Sequence, residues 1–469
     1  MTISIQNKEH QQNQDAEKIT AALHSVYGLA LLRDLLTQDA GQAVLGLLRT
    51  LVHPQPDPVK TAEAYSAAFY QLAEAISDAP ASPIVDAWQA YLIDRLIDTQ
   101  NIWSTQVEQR GGGHISPALR NQAQRELRTL QHLFALDAQL IWEETCSIVT
   151  PTMPILSQAW APWTGLQLQH EESQHPARLE LIQTIAACTD WQDLAIPLER
   201  YWSRYGTGPL ARYHVLRWQS EIQQLYGIDH PDKVELTRLI GHERQQPRIT
   251  ANVERFLEGL PAHDMLLYGP PGTGKSSTVK AIANTYAQHG LCLVEVEKEH
   301  INDLPQVVAT LRGRAPHYLL FIDDLSFEEH ETSYKRLKVL LEGTAEARPA
   351  NILVCATSNR MNLVRENFQE RGKPNEDVHW RDTMDEKQSL VHRFGLRVSY
   401  LAPDQKQYLH IVNQLAQQRG LMIPEEILSA RALAWERQNS SRSGRSARQF
   451  IDDIEAETKS EQSTYISAS

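Results

Sequence analysis

Apolar positions recur at helical spacing along the first half of the chain and in short, turn-bounded runs along the second, which predicts two kinds of architecture. Between about Ala21 and Leu51, the residues Leu23, Val26, Tyr27, Ala30, Leu31 and Leu35 share one helical face, with Arg33 at its edge and Asp34 intruding on it. An amphipathic helix or helix pair is expected there, ended by Pro54, Pro56 and Pro58. Further helices are expected at about Thr61 to Ile76, Pro83 to Thr99 and Pro117 to Cys146, separated by proline or by the Gly111-Gly112-Gly113 turn. Residues 21–222 therefore read as a large all-helical N-terminal domain. From about Ile228 the pattern changes to apolar runs alternating with helical stretches, the mark of βαβ units. Five strands are expected, Met265 to Tyr268, Cys292 to Val296, Tyr318 to Ile322, Ile352 to Ala356 and Leu396 to Leu401. Their near-continuous apolar character implies burial on both faces, hence a three-layer α/β core with a parallel five-stranded sheet over residues 223–402. A small helical lid follows over 403–456, and the polar ends, 1–20 and 457–469, are expected to be disordered.

At 469 residues the chain is long enough for about three structural units at ~150 residues each. Its 45 Lys+Arg against 58 Asp+Glu leave a net charge of -13, which disfavours binding nucleic acid or anionic membrane through bulk charge. The four cysteines form no C-x-x-C pair, so neither a disulfide framework nor a zinc knuckle is indicated, and no histidine pair has H-E-x-x-H spacing. No run approaches the roughly 18 apolar residues of a membrane span, and the polar start lacks a signal-like apolar segment, so a cytoplasmic protein without membrane insertion is expected. Eight of the ten tryptophans lie in the helical half, where packing between crossed helices explains them better than base stacking.

The segment Tyr268 to Ser276 fits G-x-x-x-x-G-K-[ST] between a strand and a helical stretch, Ser277 to Gln288. Its glycines let successive N–H groups turn toward phosphates, and the helix N-terminus adds a favourable dipole. Nucleotide contacts are expected from Gly269, Pro270, Pro271, Gly272, Thr273, Gly274, Lys275, Ser276 and Ser277. Lys275 would reach the β- and γ-phosphates, and Ser276 would offer its hydroxyl to Mg²⁺. A turn that carries Lys-Ser by chance is the competing reading, which the strand-loop-helix setting disfavours.

Downstream, the apolar run Leu319 to Ile322 ends in Asp323-Asp324. At a strand's carboxyl end beside a phosphate loop, Asp323 would hold the magnesium shell and Asp324 would face the attacking water. The next strand ends in Ala356-Thr357-Ser358-Asn359, where Asn359 can orient water between the γ-phosphate and the second acid, although an Asn there can also simply form a turn. Arg393 stands where an arginine finger could project to a neighbour's nucleotide, or where it could pair with a carboxylate of its own subunit such as Asp385 or Glu386. A last basic cluster, Ser441 to Phe450, contains Arg442, Arg445 and Arg448.

Taken in this order, these motifs resemble those of an AAA+ P-loop ATPase. More narrowly, Leu239-Ile240-Gly241-His242-Glu243, Asn252 to Leu257, the Phe321-Ile322-Asp323-Asp324-Leu325-Ser326-Phe327-Glu328 run and Ser443 to Phe450 resemble the bacterial AAA+ family known as domain of unknown function 815, over about Trp218 to Asp453. The resemblance implies ATP and Mg²⁺ as ligands, Ile240 and Gly241 near the adenine, Asn359 as sensor 1, and Arg448 ahead of Arg445 as sensor 2. It also implies a homo-oligomer in which Arg393 completes a neighbour's site. Two departures matter. Asp324 stands where most AAA+ proteins have Glu, as in replication initiators and helicase loaders, which points to slow, switch-like hydrolysis. Glu297 to Ile301 lacks an aromatic-hydrophobic-glycine pore loop, which disfavours polypeptide threading.

The function expected is an ATP hydrolase that remodels or loads a macromolecular partner, an unidentified protein held through the helical N-terminal domain. Three alternatives stand beside it: a small-molecule kinase, a nucleotide-gated scaffold with little turnover, and an initiator-like nucleic-acid-associated ATPase resting on Arg312, Arg314, Lys335, Arg336 and Lys338. Asn359 and Arg393 have no obvious role in a kinase, and the net charge tells against strong nucleic-acid affinity.

Overall fold

The computed structural model describes residues 2–77, 82–110, 112–166, 175–327, 333–342, 349–360, 389–439 and 441–467. Contacts divide the chain into two units, Met1–Tyr213 with Arg314–Pro316, and His214–Gly313 with His317–Ser469.

The first unit is helical: α1 (Thr2–Ser25), α2 (Asp39–Leu51), α3 (Pro58–Ser77), α4 (Ala87–Ile97), α5 (Ile102–Arg110), α6 (Pro117–Phe134), α7 (Ala138–Val149), α8 (Leu156–Ala159), α9 (Pro176–Ala187) and α10 (Ala195–Tyr205). The start expected to be disordered lies in α1, since no Pro or Gly interrupts the chain before Gly28. The stretch from Pro117 to Cys146 is two helices, because Asp137 leaves the helical conformation and its carboxylate caps Leu140 N–H at 2.8 Å. Trp88, Trp103, Trp163, Trp191 and Trp202 are fully buried, with Trp103 and Trp202 edge to face at 4.7 Å, so the rings fill the core. Buried Arg178 is neutralised by Asp94 at 2.7 Å and Asp98 at 2.6 Å, as a charge out of water requires.

The second unit begins earlier than expected. Among the described residues its sheet has seven strands rather than five, because a hairpin precedes the expected set: β1 (Val215–Gln219) and β2 (Gln224–Gly227). Both are short and half polar, and they belong to the sheet only because β1 pairs in parallel with β4 (Leu291–Glu295). The boundary therefore falls at His214, and the first 220 residues are not wholly helical. The five expected strands are present as β3 (Met265–Tyr268), β4, β5 (His317–Ile322), β6 (Ile352–Ser358) and β7 (Leu396–Ser399). They lie mutually parallel in the order β4-β5-β6-β3-β7, with β1 and then β2 beyond β4.

Helices α11 (Gln246–Leu257) and α12 (Lys275–Tyr286) bury Ile249, Val253, Phe256, Val279 and Ile282 against Met265, Leu267, Leu293, Leu319, Leu353 and Cys355. The alternate strand positions Leu266, Val294, Leu320 and Val354 are equally buried, so both sheet faces are covered. Between the strands run α13 (Leu304–Leu311) and α14 (Tyr334–Glu342). After β7 come α15 (Gln405–Gln418), α16 (Glu425–Asn439) and α17 (Gly444–Ser467), packed on their own core of Tyr408, Val412, Leu428, Ala432, Phe450 and Ile451. The tail expected to be disordered past Glu457 continues α17 to Ser467.

Candidate nucleotide-binding site

Strand register brings the motifs together. Tyr268 pairs with Ser358 and Ile322 with Ala356, so the loop after β3, the acids after β5 and the polar residues ending β6 meet at the carboxyl ends of the parallel strands. The cleft there has a volume of about 600 Å³. Arg238 to His242 form one wall, the loop from Pro271 to Ser277 another, and Asp323, Asp324, Thr357 and Asn359 the floor. The lid contributes Ile411, Leu415, Gly444, Arg445 and Arg448.

Backbone space dictates the loop's composition. At Gly269, with φ +147°, an added Cβ would stand 1.9 Å from the Tyr400 carbonyl oxygen. At Gly274, with φ +88°, it would stand 2.5 Å from His242 Nε2. No side chain fits either position without displacing the sheet or the cleft wall. Gly269 and Pro270 lie at the base of the loop rather than on the cleft wall, and their carbonyls accept hydrogen bonds from Lys275 Nζ at 2.8 and 2.9 Å. Lys275, the first residue of α12, also donates to Asn359 Oδ1 at 3.1 Å. Burial lowers its pKa from the ordinary lysine value, while Asp324 and Asp323 act to raise it and Arg445 to lower it further.

Two acid-centred contacts complete the floor. Ser276 Oγ donates to Asp323 Oδ1 at 2.6 Å, and Asn359 Nδ2 donates to Asp324 Oδ1 at 2.5 Å. Asp324 has φ +49°, a left-handed conformation that Asp tolerates better than most residues. A Ser hydroxyl beside a carboxylate is a hard oxygen donor pair of the kind Mg²⁺ takes together with substrate phosphates. Among the described residues no group of three or more His, Cys, Asp and Glu could cage a metal without such help. The residues present thus fit a nucleotide with its magnesium.

Ile240 and Gly241 line the cleft, and Gly241 N–H is held by Glu243 Oε1 at 3.0 Å. Both lid arginines line it too, and the backbone N–H of Arg445 donates to Gly272 O at 3.2 Å, which ties the start of the lid helix to the loop. Arg393 is not on the cleft. It forms an ion pair with Glu342 at the end of α14, a carboxylate other than those expected for it; Asp385 and Glu386 lie outside the described residues. Sequence reasoning also missed Arg238, His242, Gln407 and Thr357 as cleft residues. His242 packs on Tyr400 with ring centroids 5.1 Å apart, and burial lowers its pKa below the ordinary histidine value against an opposing pull from Glu243. The polar run around Thr357 and the place of His242 beside Gly241 were the available signals.

The chain is similar to spastin from Drosophila melanogaster, 28% identical over an alignment of 185 residues that covers 36% of this chain and 21% of that protein. Spastin from Drosophila persimilis is 28% identical over 221 residues, 42% of this chain and 25% of that protein. The chain thus spans about a fifth to a quarter of the length of the curated relatives it matches. Among solved structures, the Thermotoga maritima RuvB Holliday junction branch migration motor aligns at 14% identity and a TM-score of 0.29, covering 47% of this chain and 71% of that one, a likeness too weak to carry an argument. The family model described as "Protein of unknown function (DUF815)" matches residues 211–458. That match takes in more than half of the 469 residues and every cleft residue named above, so the protein belongs to the DUF815 family.

Proposed function

We propose that the protein hydrolyses ATP to ADP and phosphate and uses the nucleotide cycle as a switch to remodel or load a macromolecular partner. The observation that carries this reading is the continuous line Lys275, Asn359, Asp324: a phosphate-binding cation, an amide and a carboxylate joined by hydrogen bonds of 3.1 and 2.5 Å. On this reading Lys275 leaves its carbonyl partners for the β- and γ-phosphates, Asp324 accepts a proton from the attacking water, and Asn359 orients that water. Magnesium would be held by Ser276 and Asp323 and would supply charge neutralisation at the phosphates. Ile240, Gly241 and the apolar lid residues Ile411 and Leu415 suit a base, and Arg445, with Arg448 one turn on, suits the phosphate end.

The finer parts of the reading are a homo-oligomer with Arg393 acting on a neighbouring protomer, a protein partner held by the helical N-terminal domain, and a cytoplasmic location. The short arm of Asp324, already occupied by Asn359, favours a second reading, a nucleotide-gated scaffold with little turnover. Phosphate release by the purified full chain with ATP and Mg²⁺, compared with Lys275→Ala, separates the two. Turnover that disappears in the variant supports hydrolysis. Tight ATP binding with no release above background leaves the scaffold. The partner would then be sought by pull-down with Asp324→Asn, the variant expected to hold ATP.

A further inference from the structure

The end of β6 carries a hydroxyl that the proposed chemistry leaves without a task. Thr357 is 1% exposed, and its Oγ1 donates to Asp323 Oδ1 at 2.5 Å while accepting Asp324 N–H at 2.9 Å. Its carbonyl accepts Leu325 N–H at 2.7 Å. One residue of β6 thus grips three consecutive residues after β5. Its single hydroxyl proton goes to one acid while its lone pair serves the backbone of the next. Asp323 Oδ1 is then saturated, since it also accepts from Ser276 Oγ at 2.6 Å and more distantly from Asp324 N–H at 3.2 Å, which leaves Oδ2 as its available oxygen. Asp324, the next residue, is held in its left-handed conformation at φ +49°, a state that persists only where its surroundings enforce it.

The geometry points to Thr357 as a positioning residue that orients the Asp323 carboxylate toward the metal side of the cleft and locks the turn aiming Asp324 at Asn359. This rests on the reading of Asp323 and Asp324 given above. The competing role is core filling on a central strand, which an isosteric valine would perform as well or better.

The test uses the full chain with Thr357→Val, Thr357→Ser and Asp323→Asn. Binding of Mn²⁺ in the presence of ADP is read by the electron paramagnetic resonance of free Mn²⁺, beside melting temperature, kcat and KM for ATP. Thr357→Val is expected to weaken Mn²⁺ binding by about tenfold or more, the scale of a lost outer-shell partner, and to lower kcat more than it changes KM, with Thr357→Ser near wild type. Wild-type Mn²⁺ binding and kcat in Thr357→Val, or equal losses in the serine variant, overturn the inference. If valine compromises folding, Thr357→Ala against Thr357→Ser makes the same comparison, with loss in alanine alone supporting the role and equal behaviour overturning it. If Asp323→Asn leaves Mn²⁺ affinity unchanged, the reading of the acidic pair fails and the inference with it. If Asp323→Asn weakens binding while Thr357→Val does not, only the inference fails.

Discussion

Asn359 Nδ2 lies 2.5 Å from Asp324 Oδ1, so the second acid of the pair is held by the residue that follows the neighbouring strand β6. An acid held in this way is poised but not free, and its proton-accepting role is separable from nucleotide binding. Asp324→Asn is expected to retain ATP affinity while slowing turnover on the order of a hundredfold, the scale of a lost general base. Titration calorimetry and phosphate release measure the two terms. An equal loss of both would make Asp324 a structural or metal-binding residue.

Lys275 is the cation at the centre of the loop, buried and hydrogen-bonded to two loop carbonyls. Lys275→Ala removes the positive side chain facing the β- and γ-phosphates and is expected to abolish ATP binding in calorimetry, with far-ultraviolet circular dichroism unchanged. Wild-type affinity in this variant would refute the phosphate-loop assignment.

Gly269 has no room for a side chain, with the Tyr400 carbonyl 1.9 Å from where a Cβ would stand. Gly269→Ala must displace the loop from the end of β7, so ATP binding should fall and the unfolding free energy from urea titration should drop by about 1–3 kcal/mol for the forced backbone alone. A stable variant that binds ATP normally would show that the loop does not need this close approach.

Arg393 is paired with Glu342 of its own chain, away from the cleft. If the arginine also serves a neighbour's nucleotide, mixing Arg393→Ala with Lys275→Ala restores turnover, because the first retains an intact site and the second an intact arginine. Specific activity should then rise with protein concentration, and Arg393→Ala alone should lose about 10³ in rate. No complementation, together with concentration-independent activity, would leave Arg393 as the internal partner of Glu342 alone.

Burial lowers the pKa values of His214, His242 and His317 below the ordinary histidine value of about 6.5, with Asn284 acting to raise the first and Glu243 the second. As pH falls, the unfolded chain takes up these protons first. Stability is therefore whole above about pH 6.5 and is lost as pH falls from there through the folded pKa values. Urea midpoints measured from pH 8 to 5 should show this decline, and His242→Gln should flatten it. An unaltered slope in the variant would remove His242 from the account.

The phosphate loop and the Asp323-Asp324 pair were legible from the chain alone because their chemistry is contiguous. A run of glycines, a lysine and a serine at a strand-to-helix turn sets its own backbone conformation, and an apolar run can end in carboxylates only where the sheet meets solvent. The central parallel strands were legible because burial on both faces makes them almost wholly apolar, and β7, where only Val398 is buried, was legible from its apolar positions Leu396 and Val398. The hairpin of Val215–Gln219 and Gln224–Gly227 was not, because residues such as Arg217, Gln219 and Gln224 hide a strand whose only warrant is its pairing with Leu291–Glu295.

Tertiary packing alone decided the rest. Arg445 and Arg448 lie one turn apart on one helix, and only the packing of that helix brings both to the cleft. Glu342 and Arg393 are distant in sequence, and Thr357 reads as one more polar residue after a strand until the register of β5 against β6 sets it beside both acids. Local sequence dictates backbone conformation within a few residues, whereas which side chains meet across strands is set by register and burial, and these depend on the whole core at once.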